Sequence, residues 1–177
     1  GERFDLVGLA GLLDDGWTIG DLGCGTGQIA ATMAPFVRQV IAVESSRAML
    51  AAARRRFTDL ANVELRRGEL EALPIDDGAL DAAVICLVLH HVADPAAVLR
   101  EAARALRPGG RLLLIDMVQH QHLEYRQQMG HVWLGFAPAQ VLDWLAQIGF
   151  ARARVQALPV EAAAKGPALF AAAARRE

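Results

Sequence analysis

A glycine-rich segment near the start of the chain, Asp21-Leu22-Gly23-Cys24-Gly25-Thr26-Gly27, is the strongest candidate for chemistry. It lies between a short apolar run and a stretch with helical character. Glycine allows a tight turn and lets a ligand approach the backbone closely, and N–H groups at a helix start favour a polar or anionic partner. Because loops contain glycine for many reasons, the segment alone is a weak indication of a binding loop.

Glu44 strengthens that interpretation by its position. It follows the continuous apolar run Val40-Ile41-Ala42-Val43, which predicts a strand covered on both faces. It also comes roughly 20 residues after the glycine loop, the spacing of nucleotide-binding α/β units. A carboxylate at the carboxyl end of a strand can accept hydrogen bonds from both ribose hydroxyls of a nucleoside. A solvated loop acid is the alternative, and the spacing favours ribose binding.

The histidines give weaker signals. His90 or His91 could accept a proton beside a ligand, because imidazole titrates near neutrality, but a capping or packing role is favoured for this pair. His120, His122 and His131 do not have the spacing of a known metal site, and no cysteine or acidic cluster accompanies them. The sequence therefore predicts no metal site.

The elements that must position these residues follow a regular order. Strands and helices alternate in spans of roughly 20–30 residues, which predicts a Rossmann-like α/β fold with a doubly wound, mostly parallel sheet. Arg107-Pro108-Gly109-Gly110 is expected to end the preceding helix, and Leu112-Leu113-Leu114-Ile115 is predicted to be the fifth strand. Ala153 to Leu158 and Ala168 to Ala173 are candidates for an antiparallel C-terminal hairpin at one sheet edge. Leu6 to Leu13 is expected to be the end of a helix.

Composition narrows the class of protein. The 177 residues are 54% hydrophobic and 21% charged, which fits a single domain over residues 1–177 and argues against disorder. The formal net charge of −2 gives no attraction to nucleic acid or anionic membranes, and Arg54-Arg55-Arg56 is interpreted as a solvated helix face. No apolar run reaches the ~20 residues of a membrane span. Cys24 and Cys86 are interpreted as reduced thiols of a cytoplasmic protein.

These segments together resemble a known family. The Asp21–Gly27 loop resembles motif I of class I S-adenosylmethionine-dependent methyltransferases more than the dinucleotide loop, because an aspartate precedes GCGTG by two residues. The stretch from Glu44 to Leu50 resembles the second motif, and Gly68 through Pro74 resembles the segment that contacts adenine. Leu80 through Val92 is similar to the fourth-strand motif, and Leu106 through Gly110 to the turn that follows.

That resemblance implies a site for S-adenosylmethionine, or for its product S-adenosylhomocysteine. Asp21 would order the loop near the methionine end, and Glu44 would bind the ribose. Glu69 stands where the family more often has aspartate, and would accept a hydrogen bond from the adenine amino group. Cys86 and Leu87 would line the methionine side, or serve only strand packing. The implied cofactor-binding residues are Asp21, Gly23, Cys24, Gly25, Gly27, Glu44, Ser45, Met49, Gly68, Glu69, Leu70, Cys86 and Leu87.

A second, narrower resemblance concerns residues 116–136. Asp116-Met117, His120, Tyr125-Arg126 and Met129 through Phe136 are similar to a segment of methyltransferase domains that are fused to winged-helix regulators of the ArsR type. It implies either a chain that lacks an N-terminal DNA-binding module or a standalone relative.

Three functions follow as hypotheses. The first is direct methyl transfer to a small-molecule acceptor, with no binding of nucleic acid by this chain and no protein nucleophile. The second is a non-catalytic sensor of S-adenosylmethionine or S-adenosylhomocysteine that regulates transcription. The third, a nicotinamide-dependent dehydrogenase, fits the predicted fold but not the GCGTG loop.

Overall fold

The structure is a computed structural model that describes residues 11–159 and 166–177. The helix end expected over Leu6 to Leu13 lies mostly outside these residues, and residues 11–13 form a turn and bend. The strands are β1 (Thr18–Leu22), β2 (Gln39–Glu44), β3 (Val63–Arg67), β4 (Leu80–Cys86), β5 (Leu106–Met117), β6 (Phe150–Ala157) and β7 (Leu169–Arg176). The α-helices of the described residues are α1 (Gln28–Met33), α2 (Arg47–Arg56), α3 (Pro95–Ala105), α4 (Glu124–Met129) and α5 (Pro138–Ile148).

All of these strands join one sheet in the order β3-β2-β1-β4-β5-β7-β6. Strands β1 to β5 are parallel, and β7 pairs antiparallel with both β5 and β6. The order reverses between β1 and β4, which is where doubly wound sheets place their ligands. The predicted Rossmann-like fold with an antiparallel C-terminal hairpin is therefore confirmed.

Two apolar layers cover the sheet, because alternate residues of a strand point to opposite faces. On β2, Val40 and Ala42 belong to the layer beneath α1 and α2, whereas Ile41 and Val43 belong to the layer beneath α3 and α5. A strand buried on both faces reads as a continuous apolar run, which is why Val40–Val43 was recognisable from sequence. None of the described helices has the length and apolarity to span a bilayer.

Side-chain caps fix where the helices that flank the site begin. The Ser46 hydroxyl accepts a hydrogen bond from Met49 N (3.4 Å) at the start of α2. Asp94 Oδ1 accepts one from Ala97 N (3.0 Å), and Pro95 occupies the first turn of α3. Such caps satisfy N–H groups that the helix leaves without partners. They fix the residue at which each of these two helices begins.

The predicted start of β5 at Leu112 is wrong, although the preceding helix ends where it was expected to end. Arg107-Pro108-Gly109-Gly110 does end α3, but β5 already begins at Leu106 and continues through this segment. Leu106 pairs with Leu80, and a register shift follows before the pairing resumes at Ala82 and Arg111. The irregularity absorbs the glycine and proline residues, so that sheet pairing overrides their local preference for a turn.

Candidate active site

A cleft of about 550 Å³ lies at the carboxyl ends of β1, β2 and β4, on the side where the strand order reverses. Backbone and side chains from five stretches of the chain form its walls. They are Gly23, Cys24, Gly25, Glu44, Ser45, Met49, Glu69, Leu70, Glu71, Cys86, Leu87, Val88, His91, Val92 and Ala93.

The glycine loop forms one wall of the cleft. The N–H groups of Gly23 and Cys24 both donate to the carbonyl of Val43 (2.9 Å each), which fastens the loop to the end of β2. Gly25 has φ +54°, a left-handed conformation, and a Cβ added there would meet no atom within 4 Å. The backbone is therefore bare at a point that borders the cleft, which leaves room for a ligand to approach closely.

Glu44 is held at the floor of the cleft by the backbone around it. Its Oε2 accepts a hydrogen bond from Gly25 N (2.9 Å), and its Oε1 accepts from Ser45 N (2.9 Å) and Ser46 N (2.8 Å). These bonds link the end of β2 to the glycine loop and to the start of α2. The carboxylate is fixed in orientation and half-buried, and it still borders the cleft.

The opposite wall comes from the end of β4. Leu87 is 42% exposed and has φ +53°, an unusual conformation for leucine, and its N–H donates to the carbonyl of Ile115 (2.9 Å). Backbone in this region costs roughly 1–3 kcal/mol and persists where the surrounding structure imposes it. The wall therefore presents an apolar side chain to the cleft at the expense of local strain.

The cleft is acidic. Glu44, Glu69 and Glu71 border it, and none of the described lining residues is lysine or arginine. Burial, together with Asp21 and Glu44, raises the pKa of Cys24 to about 12. Burial, with Asp21 and Asp116, raises the pKa of Cys86 to about 11. Both thiols therefore stay protonated at neutral pH, and the site favours a cationic ligand over an anionic one.

Most of the residues implied by the resemblance border this cleft, but three do not. Asp21 is buried beneath the loop, where its Oδ2 accepts a hydrogen bond from Ala30 N (2.9 Å) at the start of α1. Gly27 packs against Phe57, and Gly68 lies against Pro74. Direct ligand contacts remain predictions for the bordering residues, while these three support the walls from behind.

The cleft also includes residues that the sequence did not single out as cofactor contacts, namely Glu71, Val88, Val92 and Ala93. Val88 and Val92 lie within the fourth-strand motif and Ala93 directly follows it, but of that motif only Cys86 and Leu87 were named as contacts. Glu71 follows Glu69 by two residues and had no separate signal. His91, considered above as a proton acceptor, also borders the cleft.

Asp21 should make stability depend on pH. Burial raises its pKa from 3.8 to about 7, with Glu44 adding to the effect and the Ala30 N–H opposing it. The folded state therefore binds this proton more tightly than the unfolded state, and the stability gained from it is lost as pH rises from about 4 to about 7. The Asp21→Asn variant keeps an oxygen for Ala30 N and has no such loss.

We expect the free energy of unfolding of Asp21→Asn to increase relative to that of the wild type as pH rises from 5 to 8. The difference between the two should change by at most ~1.4 kcal/mol per pH unit. Urea unfolding at several pH values measures it, with Asp59→Asn, an exposed acid, as the matched control. Parallel pH profiles for wild type and Asp21→Asn would contradict a buried titrating carboxyl group.

Comparison with known proteins decides the family. A model of the methyltransferase domain family matches residues 20–114, more than half of the 177 residues. The chain belongs to the methyltransferase domain family. S-adenosylmethionine is the cofactor of this domain, and the match covers both the glycine loop and Glu44.

Two relatives and one structure illustrate the similarity. An uncharacterized 37.1 kDa protein in transposon TN4556 of Streptomyces fradiae is 48% identical over 97 residues, which cover 53% of this chain and 28% of that protein. The demethylmenaquinone methyltransferase of Clavibacter sepedonicus is 37% identical over 96 residues, 54% of this chain and 39% of that enzyme. The chain thus spans less than half the length of the curated relatives it matches first.

A solved S-adenosylmethionine-dependent methyltransferase from Mesorhizobium loti superposes over 99% of this chain and 98% of its own, with a TM-score of 0.80 and 24% identity. The agreement extends through the C-terminal strands and supports the fold described above for the methyltransferase domain.

The cleft fits this cofactor on three observations. The bare backbone at Gly25 leaves space beside the loop, Glu44 is fixed at the carboxyl end of β2, and the walls are acidic. S-adenosylmethionine carries a sulfonium and an ammonium group, so carboxylates favour it. A nicotinamide dinucleotide carries an anionic pyrophosphate, which the same carboxylates disfavour.

Proposed function

We propose that this protein transfers a methyl group from S-adenosylmethionine to a small-molecule acceptor. The observation that carries the proposal is the acidic cleft between the glycine loop and Glu44, in a domain of the methyltransferase family. The absence of lysine and arginine among the described lining residues supports a small molecule rather than nucleic acid. The relative named for demethylmenaquinone also acts on a small molecule. The two free cysteines support a reducing, cytoplasmic location.

The cofactor supplies a methyl group that its sulfonium already activates. The protein therefore needs only to align the acceptor with that methyl group and to exclude water. Glu44 would hold the ribose, and Glu69 and Leu70 would hold the adenine. Cys86 and Leu87 would border the methionine end and exclude water from it. The protonated thiols of Cys24 and Cys86 are poor nucleophiles, which supports direct transfer to the acceptor.

The proposal is tested by binding and turnover together. Calorimetry should give tight binding of S-adenosylmethionine and S-adenosylhomocysteine, and none of NAD. Formation of S-adenosylhomocysteine should then be measured across a panel of hydroxyl, thiol, amine and quinol acceptors. Tight binding without turnover on any acceptor would contradict methyl transfer and leave the sensor hypothesis; failure to bind either adenosyl ligand would contradict both.

Gly25 allows stability and binding to be separated. Gly25→Ala places a methyl group in the open space at the cleft, and we expect it to weaken S-adenosylhomocysteine binding at least ~10-fold, as a steric clash with the ligand. Its cost in stability should be only the left-handed strain of about 1–2 kcal/mol. Calorimetry measures the affinity and urea unfolding the stability.

Gly149→Ala is the matched control for this variant. Gly149 also has a positive φ, +95°, and an added Cβ meets no atom within 4 Å, but it lies at the end of α5 away from the cleft. This control should lose stability to a similar extent and keep its affinity. Equal affinities for the two variants would show that no ligand occupies the space beside Gly25.

A further inference from the structure

Three histidines meet at the edge of the cleft. One ring nitrogen from each of His90, His91 and His131 lies within 4.8 Å of the other two. The ring centroids are 4.2 Å apart for His90 and His91, 4.3 Å for His90 and His131, and 5.0 Å for His91 and His131. His90 and His131 are buried, whereas His91 is exposed and borders the cleft. We refer to these three residues as the histidine cluster.

The backbone brings the cluster together from distant parts of the sequence. The N–H groups of Val132 and Trp133 both donate to the carbonyl of His90 (3.0 Å each). The Trp133 indole N–H donates to the carbonyl of Val92 (3.1 Å). These bonds fix residue 131 beside the β4 end. The juxtaposition is therefore set by main-chain contacts and not by a chance approach of mobile side chains.

The Nδ1 atoms of His90 and His91 already lie within hydrogen-bond distance of an oxygen. His90 Nδ1 lies 2.7 Å from Asp116 Oδ1, and both side chains are buried. His91 Nδ1 lies 3.3 Å from the carbonyl oxygen of Gly130. Carbonyl and carboxylate oxygens accept hydrogen bonds, so each Nδ1 is placed to donate, and in the neutral imidazole the Nε2 then carries the lone pair that a metal needs. Metal-binding histidines are oriented in the same way, by a carboxylate or a backbone carbonyl on the far nitrogen.

Buried polar atoms without partners lie in the cluster and on the carboxylate that orients it. Neither His131 Nδ1 nor Asp116 Oδ2 has a hydrogen-bond partner among the described residues. A buried polar group without a partner destabilises the folded state. The unpartnered ring nitrogen of His131, next to two other imidazole rings, therefore indicates that the cluster is completed by a ligand.

We propose that His90, His91 and His131 bind a divalent transition-metal ion, with Zn²⁺ the best match, at the edge of the cofactor cleft. Imidazole nitrogens suit borderline metals such as zinc, and three histidines with one open position are a common set for catalytic zinc. In a tetrahedral site the nitrogens are about 3.4 Å apart, so the separations of up to 4.8 Å close by small side-chain rotations. His91 is the exposed member of the cluster, so its ring has the most room to move.

This site departs from the expectation drawn from sequence spacing, which considered His120, His122 and His131 and predicted no metal. The structure assembles a different set. A pair of adjacent histidines and a third about 40 residues later is not a recognised ligand spacing, so the cluster is visible only once the chain is folded.

The role of the ion rests on the proposed methyl transfer. A hydroxyl or thiol acceptor bound at the open position would lose its proton to water near neutral pH, as metal-bound groups do. Its oxygen or sulfur would then form the bond to the methyl carbon as the methyl–sulfonium bond breaks, with S-adenosylhomocysteine as the product. The metal site itself does not depend on that role and is tested separately.

The test uses untagged full chain, freed of metal by dialysis against a chelator. Calorimetric titration with Zn²⁺ should show one ion per chain, and Co²⁺ should give the visible absorption of a tetrahedral nitrogen site. His91→Ala, which removes an exposed ring and spares the core, should weaken Zn²⁺ binding at least 10-fold. Asp116→Asn should weaken it 10- to 100-fold through the orientation of His90.

His122→Ala is the matched control, because His122 is exposed, pairs with Glu124 and lies outside the cluster. Its affinity for Zn²⁺ should equal that of the wild type. Equal affinities for wild type and His91→Ala, or a loss confined to His122→Ala, would overturn the proposal. Zinc binding that depends on His91, without methyl transfer to any acceptor, would support the metal site and contradict the proposed function.

Discussion

Replacing Glu44 by alanine should weaken S-adenosylhomocysteine binding about 100-fold. The proposed contacts are charge-assisted hydrogen bonds from ribose hydroxyls, worth roughly 1.5–3 kcal/mol each, and ~2.7 kcal/mol corresponds to a factor of 100 in affinity. The variant also removes the acceptor for the N–H groups of Gly25, Ser45 and Ser46. Loosening of the glycine loop therefore adds to the loss, and calorimetry measures the sum.

Two further variants separate these contributions. Glu64→Ala removes an exposed carboxylate from β3, where it pairs with Arg66, and should leave affinity unchanged. Glu44→Asp keeps the charge with a shorter reach, so it should recover part of the affinity lost in Glu44→Ala. Unchanged affinity in Glu44→Ala would contradict the placement of an adenosyl ligand in this cleft, whatever the result for the other two.

The Gly27→Ala variant should lose about 2–5 kcal/mol in the free energy of unfolding. Gly27 has φ +81°, and an added Cβ would lie 2.3 Å from Cζ of Phe57. Left-handed strain contributes about 1–2 kcal/mol, and forcing an extra methyl group into a packed core contributes about 1–3 kcal/mol. Phe57 is buried in the apolar layer beneath α1 and α2, so the ring has little room to move. Urea unfolding measures the loss.

The same experiment has an internal control. Gly149→Ala carries comparable backbone strain in open space and should lose only the strain contribution. Introducing Gly27→Ala into a Phe57→Leu background should cost less than in the wild type, because the smaller side chain leaves room for the methyl group. Equal losses for Gly27→Ala and Gly149→Ala would show that the ring yields freely and that the core does not depend on this contact.

Sequence patterns indicated which residues border the cleft, but they did not separate these from residues that pack behind its walls. Parallel strands bring their carboxyl ends to one edge, so Glu44 and the glycine loop could be placed together from spacing alone. Asp21 was expected to order the loop, and its carboxylate accepts a hydrogen bond from Ala30 N. Gly27 and Gly68 were also among the predicted cofactor-binding residues, and they lie against Phe57 and Pro74, outside the lining of the cleft. A glycine required by packing and one required by a ligand look the same in a sequence.

Other features depend on tertiary contacts that no local pattern records. The start of β5 at Leu106 follows from pairing with Leu80 across an irregularity, which local glycine and proline content argued against. The histidine cluster depends on two backbone bonds to the carbonyl of His90. Both are determined by residues far away along the chain, and a single sequence does not show which distant residues meet.

The bridge between Val118 and Phe136 has a consequence for how such domains diversify. It closes residues 119–135 into an excursion whose two ends are already side by side, so exchanging it for another of twice the length would cost only about 0.6 kcal/mol in closure entropy. The residues proposed to hold the methyl donor all precede this excursion in the chain. Replacing residues 119–135 would therefore change the part of the chain that carries His131, and would leave every residue proposed to bind the methyl donor unchanged.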